Sequence, residues 1–232
     1  MMSTVILSPH FDDAVFNCWH AIIHENAAVL TIFAGNPAPG TRRFWDAICG
    51  AADSRQMVQR RRKENDEAIA LSGLGNRLIN LDFLDAQYRG KPPTIEELAG
   101  MIVSNTPDDS IFLAPLAASP LRRHADHILA RETALHLLKQ GRGVNFYPDA
   151  PYMNLPSSGR EQSLHKIVRR AEHSLGFAVT AKVKKLDAHE LGIKCRSMQA
   201  YKSQYVMTDL FSLGGLGRIG RRDYELVFEP KR

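Results

Sequence analysis

The chain has 232 residues, of which 44% are hydrophobic and 24% are charged. This composition excludes disordered, collagen-like and low-complexity proteins, and the length suggests one domain or two. The net charge is +5, from 30 Lys and Arg against 25 Asp and Glu. Because the basic residues are spread along the chain and are not interleaved with aromatic residues, a basic enzyme surface is favoured over a nucleic-acid platform.

Cysteine usage and hydropathy indicate the cellular compartment of the protein. The three cysteines are widely spaced and form no CxxC pair, so neither a disulfide framework nor a cysteine-based zinc site is indicated. No run of about 18 apolar residues is present, so we expect no transmembrane helix and no membrane insertion. The N-terminus has no basic segment before its short apolar run, so no secretory signal is expected. The sequence therefore predicts a cytoplasmic protein.

Short apolar runs alternate with amphipathic segments in the first two thirds of the chain. We predict strands over residues 5–7, 27–34, 77–83, 110–116 and 143–147. We predict helices over residues 14–23, 57–71, 95–102 and 125–138. Continuous apolar runs of this length are typical of buried parallel strands. The repeated alternation predicts an α/β fold with a Rossmann-like, doubly wound, mostly parallel sheet and helices on both faces.

The pattern weakens after Pro151. Residues 162–175 and 188–204 resemble helices, and residues 177–186 and 223–228 resemble strands. We interpret this part as an extension packed on the same sheet, so that residues 1–232 form one domain. The glycine-rich stretch 214–220 lacks the Lys-Ser/Thr and the strand–helix context of a phosphate loop, and is predicted to be a turn. The long connection 36–55 is a candidate substrate-facing loop.

A first polar cluster follows the first predicted strand. It reads Ser8-Pro9-His10-Phe11-Asp12-Asp13. Ligands of open α/β sheets bind at the carboxyl ends of the strands. Adjacent residues in a turn point in different directions, so one aspartate can bind a metal while the other faces the substrate. The alternative is that Asp12 or Asp13 only caps the helix that begins near Ala14.

A second polar cluster, His124-Ala125-Asp126-His127, follows the fourth predicted strand. It also lies where a helix begins, so the two clusters can meet at the same edge of the sheet. His10, Asp13 and His127 would then supply two imidazoles and one carboxylate, a set typical of catalytic zinc sites with open positions. The alternative is that these histidines are solvent-exposed loop residues. Two clusters at equivalent positions favour the metal site.

The two clusters together resemble the signature of the PIG-L/LmbE family of zinc-dependent N-acetylsugar deacetylases. That signature runs Pro-His-x-Asp-Asp after the first strand and His-x-Asp-His about a hundred residues later. Weaker similarities to the family lie at residues 61–73, 83–85, 147–152 and 194–204. The resemblance thus extends from about residue 4 to about residue 205.

The resemblance implies a role for each matching residue. His10, Asp13 and His127 would be metal ligands, and Asp12 would be the general base. His124 would donate to the amine or stabilise the oxyanion, and Asp126 would orient His124 or a ligand imidazole.

Two charged residues are candidates for sugar contacts. The resemblance suggests them at Arg61 and Asp85. The alternative for Arg61 is a structural ion pair with Glu64, three residues further along the same helix face.

The sequence departs from the family pattern at two places. Ala14 stands where many members carry glutamate after Asp-Asp, and the segment 117–123 carries two arginines and no tyrosine. Arg122 or Arg123 could instead contact an anionic or polar group of the substrate. These departures are the support for an alternative function, a non-catalytic sugar-binding or ligand-binding module that retains the fold.

The resemblance predicts a metal-dependent hydrolase. It would remove an N-acetyl or other N-acyl group from an amino sugar or an N-acetylglucosamine-type glycoside by attack of a metal-activated water. The expected cofactor is Zn²⁺, although Fe²⁺ and other divalent ions suit the same ligands. The expected partner is a small amino-sugar substrate rather than nucleic acid, and the family implies a possible homo-oligomer.

Overall fold

The computed structural model describes residues 3–118, 124–150, 155, 161–204 and 222–231. Within these residues seven strands form one sheet. The strands are β1 (Thr4–Ser8), β2 (Ala28–Thr31), β3 (Leu78–Asn80), β4 (Ile111–Pro115), β5 (Gly143–Tyr147), β6 (Val179–Lys185) and β7 (Tyr224–Pro230). Their order across the sheet is β3-β2-β1-β4-β5-β7-β6.

Strands β1 to β5 are parallel, whereas β7 is antiparallel to both β5 and β6. The predicted mostly parallel α/β sheet is therefore confirmed. The two late strands join this same sheet at its edge, next to β5.

Helices cover both faces of the sheet. They are α1 (Asp13–Asn17), α2 (Trp19–His24), α3 (Phe44–Ile48), α4 (Ser54–Ala70), α5 (Ile95–Ser104), α6 (Ala125–Lys139), α7 (Glu161–Leu175) and α8 (Ala188–Ala200). The core on one face includes residues of α5, α6 and α7, and the core on the other face includes residues of α1, α2, α4 and α8. Alternation along β1 sends Val5 and Leu7 to the first core and Ile6 to the second. Among the described helices, none combines the length and the apolarity that a membrane span needs.

The first predicted helix is two helices in the structure, and a carboxylate distant in sequence caps the second of them. The chain leaves helical geometry at Cys18 and resumes it at Trp19. Glu225 on β7 accepts the N–H groups of Trp19 and His20 at 2.9 and 2.8 Å, and thereby caps α2. Lys194 on α8 donates to the same carboxylate at 2.5 Å.

The structure contains one helix that the sequence did not predict, and some predicted features lie outside the residues that it describes. Helix α3, inside the long connection 36–55, was not predicted because its five residues are too few for a periodic pattern. The glycine-rich stretch 214–220, Arg122 and Arg123 lie outside the described residues.

We predict that the buried pair of Lys194 and Glu225 is sensitive to removal of its cation. Lys194→Met should lower the free energy of unfolding by about 3–5 kcal/mol, because it leaves Glu225 charged and buried without a counter-charge. Urea unfolding followed by circular dichroism measures this loss. The matched control is Lys182→Met, whose exposed partner Glu229 lies 3.8 Å away; its expected cost is about 0–1 kcal/mol. Equal effects of the two substitutions would contradict the prediction.

Candidate active site

The two polar clusters meet at the carboxyl ends of β1 and β4. These strands are neighbours in the sheet, although the chain runs from β1 through β2 and β3 before it reaches β4. The strand order therefore reverses between them, and such a switch point opens a crevice at the edge of an α/β sheet. The His10 ring centroid lies 4.7 Å from that of His124 and 5.3 Å from that of His127.

The loop after β1 is held by its own side chains. Ser8 Oγ donates to the His10 carbonyl at 2.6 Å and accepts the Ala14 N–H at 3.1 Å. The His10 N–H donates to Asp13 Oδ2 at 2.8 Å. Asp12 occupies the N-cap position of α1, but its side chain makes no capping hydrogen bond. Helix capping, the alternative role considered for Asp12, is therefore not what its side chain does.

Asp13 Oδ2 lies between two imidazole rings. It is 3.5 Å from His10 Nδ1 and 3.4 Å from His127 Nε2. Four ligands at 2.0–2.1 Å from a zinc ion are separated by about 3.3 Å along each edge of the tetrahedron. Both separations are close to that edge, so these donor atoms fit a divalent ion. Imidazole nitrogens of His10, His124 and His127 also lie within 4.8 Å of one another.

Asp126 is fully buried, and its carboxylate contacts His10. Its Oδ2 lies 3.0 Å from His10 Nε2 and accepts the Ala86 N–H at 2.9 Å, while its Oδ1 pairs with Arg89. Burial raises the pKa of Asp126, but the His10 contact and the Arg89 charge outweigh it and hold the pKa below the usual value. Of the two predicted roles, orientation of a ligand imidazole is the one that this geometry supports.

Arg89 was not singled out in the sequence. Its guanidinium group lies 4.8 Å from the Phe33 ring centroid and donates to the Leu84 carbonyl at 2.5 Å. No pattern in the sequence connects Arg89 with Asp126, 37 residues further along the chain. The tertiary structure alone brings them together.

The two remaining polar residues of the motifs have shifted pKa values. Burial and the neighbouring Asp13 charge raise the pKa of Asp12 to about 6. Burial and the nearby His10 and His127 lower the pKa of His124 to about 3. His124 Nδ1 accepts the Asp126 N–H at 3.3 Å, so the neutral ring carries its proton on Nε2.

Arg61 and Asp85 both lie buried near these groups. The Arg61 side chain is within electrostatic reach of Asp12, and its Nε has no hydrogen-bond partner in the described part of the chain. Glu64 instead accepts the N–H and the hydroxyl of Ser203 at 2.9 and 2.6 Å, and the described residues show no ion pair between Arg61 and Glu64. Asp85 Oδ2 lies 3.6 Å from His10 Nε2.

Sequence reasoning also missed two buried carboxylates. Asp46, on α3, accepts the Tyr88 hydroxyl at 2.9 Å, which ties the long connection to the loop after β3. Asp149, two residues beyond β5, places Oδ2 at 3.2 Å from His127 Nδ1. The weak similarity at residues 147–152 was the one signal that could have found Asp149.

Tyr201, directly after α8, contacts the loop after β1 through its hydroxyl group. Its hydroxyl group lies 3.1 Å from the Phe11 carbonyl oxygen and 2.9 Å from Asn65 Oδ1. The ring is fully buried. Phe11 stands between His10 and Asp12, so this contact holds the backbone of the candidate site.

Comparison with known proteins identifies the family. Residues 5–138, more than half of the chain, match the family described as PIG-L: GlcNAc-PI de-N-acetylase. The chain belongs to the PIG-L family. Over 185 residues it is 28% identical to 2'-N-acetylparomamine deacetylase from Niallia circulans, and the alignment covers 64% of this chain and 66% of that relative. This chain thus spans slightly less than two thirds of that relative's length.

Solved structures agree with this PIG-L assignment at the level of the fold. A triple mutant of a deacetylase involved in the teicoplanin biosynthetic pathway has a TM-score of 0.77 and 22% identity, and the match covers 100% of this chain and 98% of that one. The A40926 pseudoaglycone deacetylase Dbv21 has a TM-score of 0.73 and 21% identity, with 99% and 96% covered. The predicted family and fold are confirmed.

We predict that removal of the Tyr201 hydroxyl loosens the loop of this PIG-L protein. Tyr201→Phe leaves the buried Phe11 carbonyl without this donor, so the free energy of unfolding should fall by about 1–3 kcal/mol and Co²⁺ binding should weaken. The matched control is Tyr147→Phe, which removes a hydroxyl bond of 2.9 Å to the Leu7 carbonyl within β1. The control should lose similar stability and keep its affinity for Co²⁺. Denaturation and metal titration measure both effects, and equal Co²⁺ affinities of the two variants would argue against the prediction.

Proposed function

We propose that this protein is a metal-dependent hydrolase that removes an N-acetyl group from an amino sugar or an N-acetylglucosamine-type glycoside. The observation that carries the proposal is the position of Asp13 Oδ2, 3.4–3.5 Å from nitrogens of His10 and His127, with Asp12 beside it. Membership of the PIG-L family supports it. A relative named for the deacetylation of 2'-N-acetylparomamine supports the amino-sugar substrate class.

In this proposal His10, Asp13 and His127 hold a divalent ion, with zinc as the first candidate and Fe²⁺ as another. When bound, such an ion polarises an amide carbonyl and makes a water molecule more acidic. Asp126 fixes the orientation of His10 from the opposite side of its ring. The donor set leaves room for water and substrate, as catalytic rather than structural sites do.

Asp12 is the proposed general base. A carboxyl group with a pKa of about 6 is largely ionised at neutral pH and still basic enough to accept a proton from water. His124 is the proposed donor, because its neutral ring carries an N–H on Nε2 while Nδ1 is engaged by the backbone. That neutral donor would stabilise the oxyanion; passing a proton to the amine leaving group would need the imidazolium form, which the lowered pKa of His124 disfavours.

Arg61 and Asp85 are the proposed sugar contacts. Arg61 brings a buried guanidinium group with an unpartnered Nε among the described residues, and Asp85 is buried beside His10. Hydrogen bonds from such fixed charged groups can select hydroxyl pairs in one geometry. The continuity of the sheet from β3 to β6 supports the further proposal that residues 1–232 act as one domain.

We expect Asp12→Asn to bind metal like the unchanged protein and to lose about 10²–10⁴ in turnover, because only the proton acceptor is removed. The measurement is release of free amine from a panel of N-acetylated amino sugars, with metal content determined on the same samples. Asp82→Asn is the matched control, since Asp82 is exposed, and it should keep full turnover. Turnover by neither the unchanged protein nor the variant, with sugar binding retained, would favour the non-catalytic binding module.

We expect His127→Ala to lose bound metal, because it removes one of the two imidazole ligands. Elemental analysis should give about one ion per chain in the unchanged protein and a small fraction of that in the variant. His136→Ala, on the same helix but remote from the site, should keep its metal. Full metal content in His127→Ala would refute this ligand set.

A further inference from the structure

A ring of hydrogen bonds connects His127 with a strained backbone position. Ala117, two residues beyond β4, has a φ of +46°, in the left-handed region. Residues with a Cβ avoid this region because the side chain crowds the following carbonyl oxygen. Among the described residues the other non-glycine residue with positive φ is Asn26, a residue type that tolerates it. The conformation of Ala117 therefore needs support from its surroundings.

Side chains from two other elements hold both backbone groups of Ala117. Its N–H donates to Asp149 Oδ1 at 2.9 Å, and its carbonyl accepts from Arg131 Nη1 at 3.3 Å. Arg131 is itself fixed by Ser174 Oγ at 2.8 Å and by Glu132. The left-handed turn is thus clamped between α6 and the segment after β5.

The same carboxylate reaches the candidate metal site. Asp149 Oδ2 lies 3.2 Å from His127 Nδ1. Arg131 lies four residues after His127 on α6 and therefore on the same face of that helix. Arg131 and His127 both lie on α6, and hydrogen bonds connect them through Ala117 and Asp149. Asp149 is almost completely buried, so water does not compete for its oxygens.

This contact decides where a neutral His127 carries its proton. An ionised carboxylate only accepts hydrogen bonds, so a neutral His127 that donates to Asp149 carries its proton on Nδ1. Nε2 then presents its lone pair towards Asp13 Oδ2, 3.4 Å away. The opposite tautomer would point an N–H at that position and would prevent Nε2 from acting as a ligand.

We propose that Asp149 is a positioning residue that fixes the Nδ1–H tautomer of His127, and that the left-handed turn at Ala117, clamped by Arg131, aims the Asp149 carboxylate. The inference rests on the proposed function in one respect, the assignment of His127 as a metal ligand. The left-handed turn directs the Ala117 N–H to Asp149 Oδ1, which leaves Asp149 Oδ2 for His127.

The test uses Asp149→Asn in the full chain. The amide keeps one acceptor for the Ala117 N–H but presents an NH₂ group to His127 Nδ1, which favours the Nε2–H tautomer. In metal-free protein labelled with ¹⁵N-histidine, studied at a pH high enough to keep the ring neutral, the His127 resonances should change from the Nδ1–H to the Nε2–H pattern. Zn²⁺ affinity, measured by competition with a chelator, should fall about 10–100-fold. Asp108→Asn, the same change at an exposed carboxylate, should alter neither measurement.

Two further variants keep the test decisive if Asp149→Asn does not fold. Arg131→Met frees the Ala117 carbonyl and should weaken Zn²⁺ binding less than Asp149→Asn, with the His127 tautomer kept. Ala117→Gly retains the N–H and accepts positive φ, so it should bind Zn²⁺ normally. Unchanged Zn²⁺ affinity in Arg131→Met overturns the role of the clamp. An unchanged tautomer and affinity in Asp149→Asn overturn the role of Asp149.

The comparison with His127→Ala separates this inference from the proposed function. If His127→Ala loses Zn²⁺ while Asp149→Asn binds it normally, His127 remains a ligand and only the positioning role fails. If His127→Ala binds Zn²⁺ normally, the ligand assignment itself fails and the inference falls with it.

Discussion

The site depends on the parallel pairing of β1 with β4. This pairing brings His10 within 3.0 Å of Asp126, a residue 116 positions further along the chain. The first motif alone supplies one imidazole and two carboxylates, and the second alone supplies two imidazoles and one carboxylate. Because parallel strands end at the same edge of a sheet, the pairing converts the two loops into one cluster. The helices that follow, α1 and α6, then begin at the same edge, on opposite faces of the sheet.

Burial makes the charges of this cluster interdependent. An isolated buried carboxylate is costly, and donors compensate two of the carboxylates here, Asp126 and Asp149. Asp126 is stabilised by Arg89, Ala86 and His10, and Asp149 by the Ala117 N–H and His127. The consequence is a crevice whose imidazoles are already oriented. A cation that enters it meets preorganised donors rather than flexible side chains.

The C-terminal part of the chain supports the site without contributing a predicted catalytic residue. Glu225 and Lys194 stabilise the start of α2, and Tyr201 holds the Phe11 carbonyl between His10 and Asp12. Ser203 is joined to Glu64 on α4 by two hydrogen bonds. The antiparallel strands β6 and β7 therefore do more than extend the sheet. β7 supplies Glu225, the carboxylate that caps α2.

The sequence by itself determined the alternation of strands and helices, and it located both motifs, because apolar periodicity and clustered polar residues are local properties of the chain. It also led to the candidate residues from His10 to His127 through their resemblance to the PIG-L/LmbE signature. Only the tertiary structure decided that Asp126 contacts His10, that Glu64 contacts Ser203 rather than Arg61, and that Arg89 and Asp149 belong to the site. It alone also joined Asp46 to Tyr88. These contacts join residues distant in sequence, and burial and hydrogen-bond demand across the folded sheet select them.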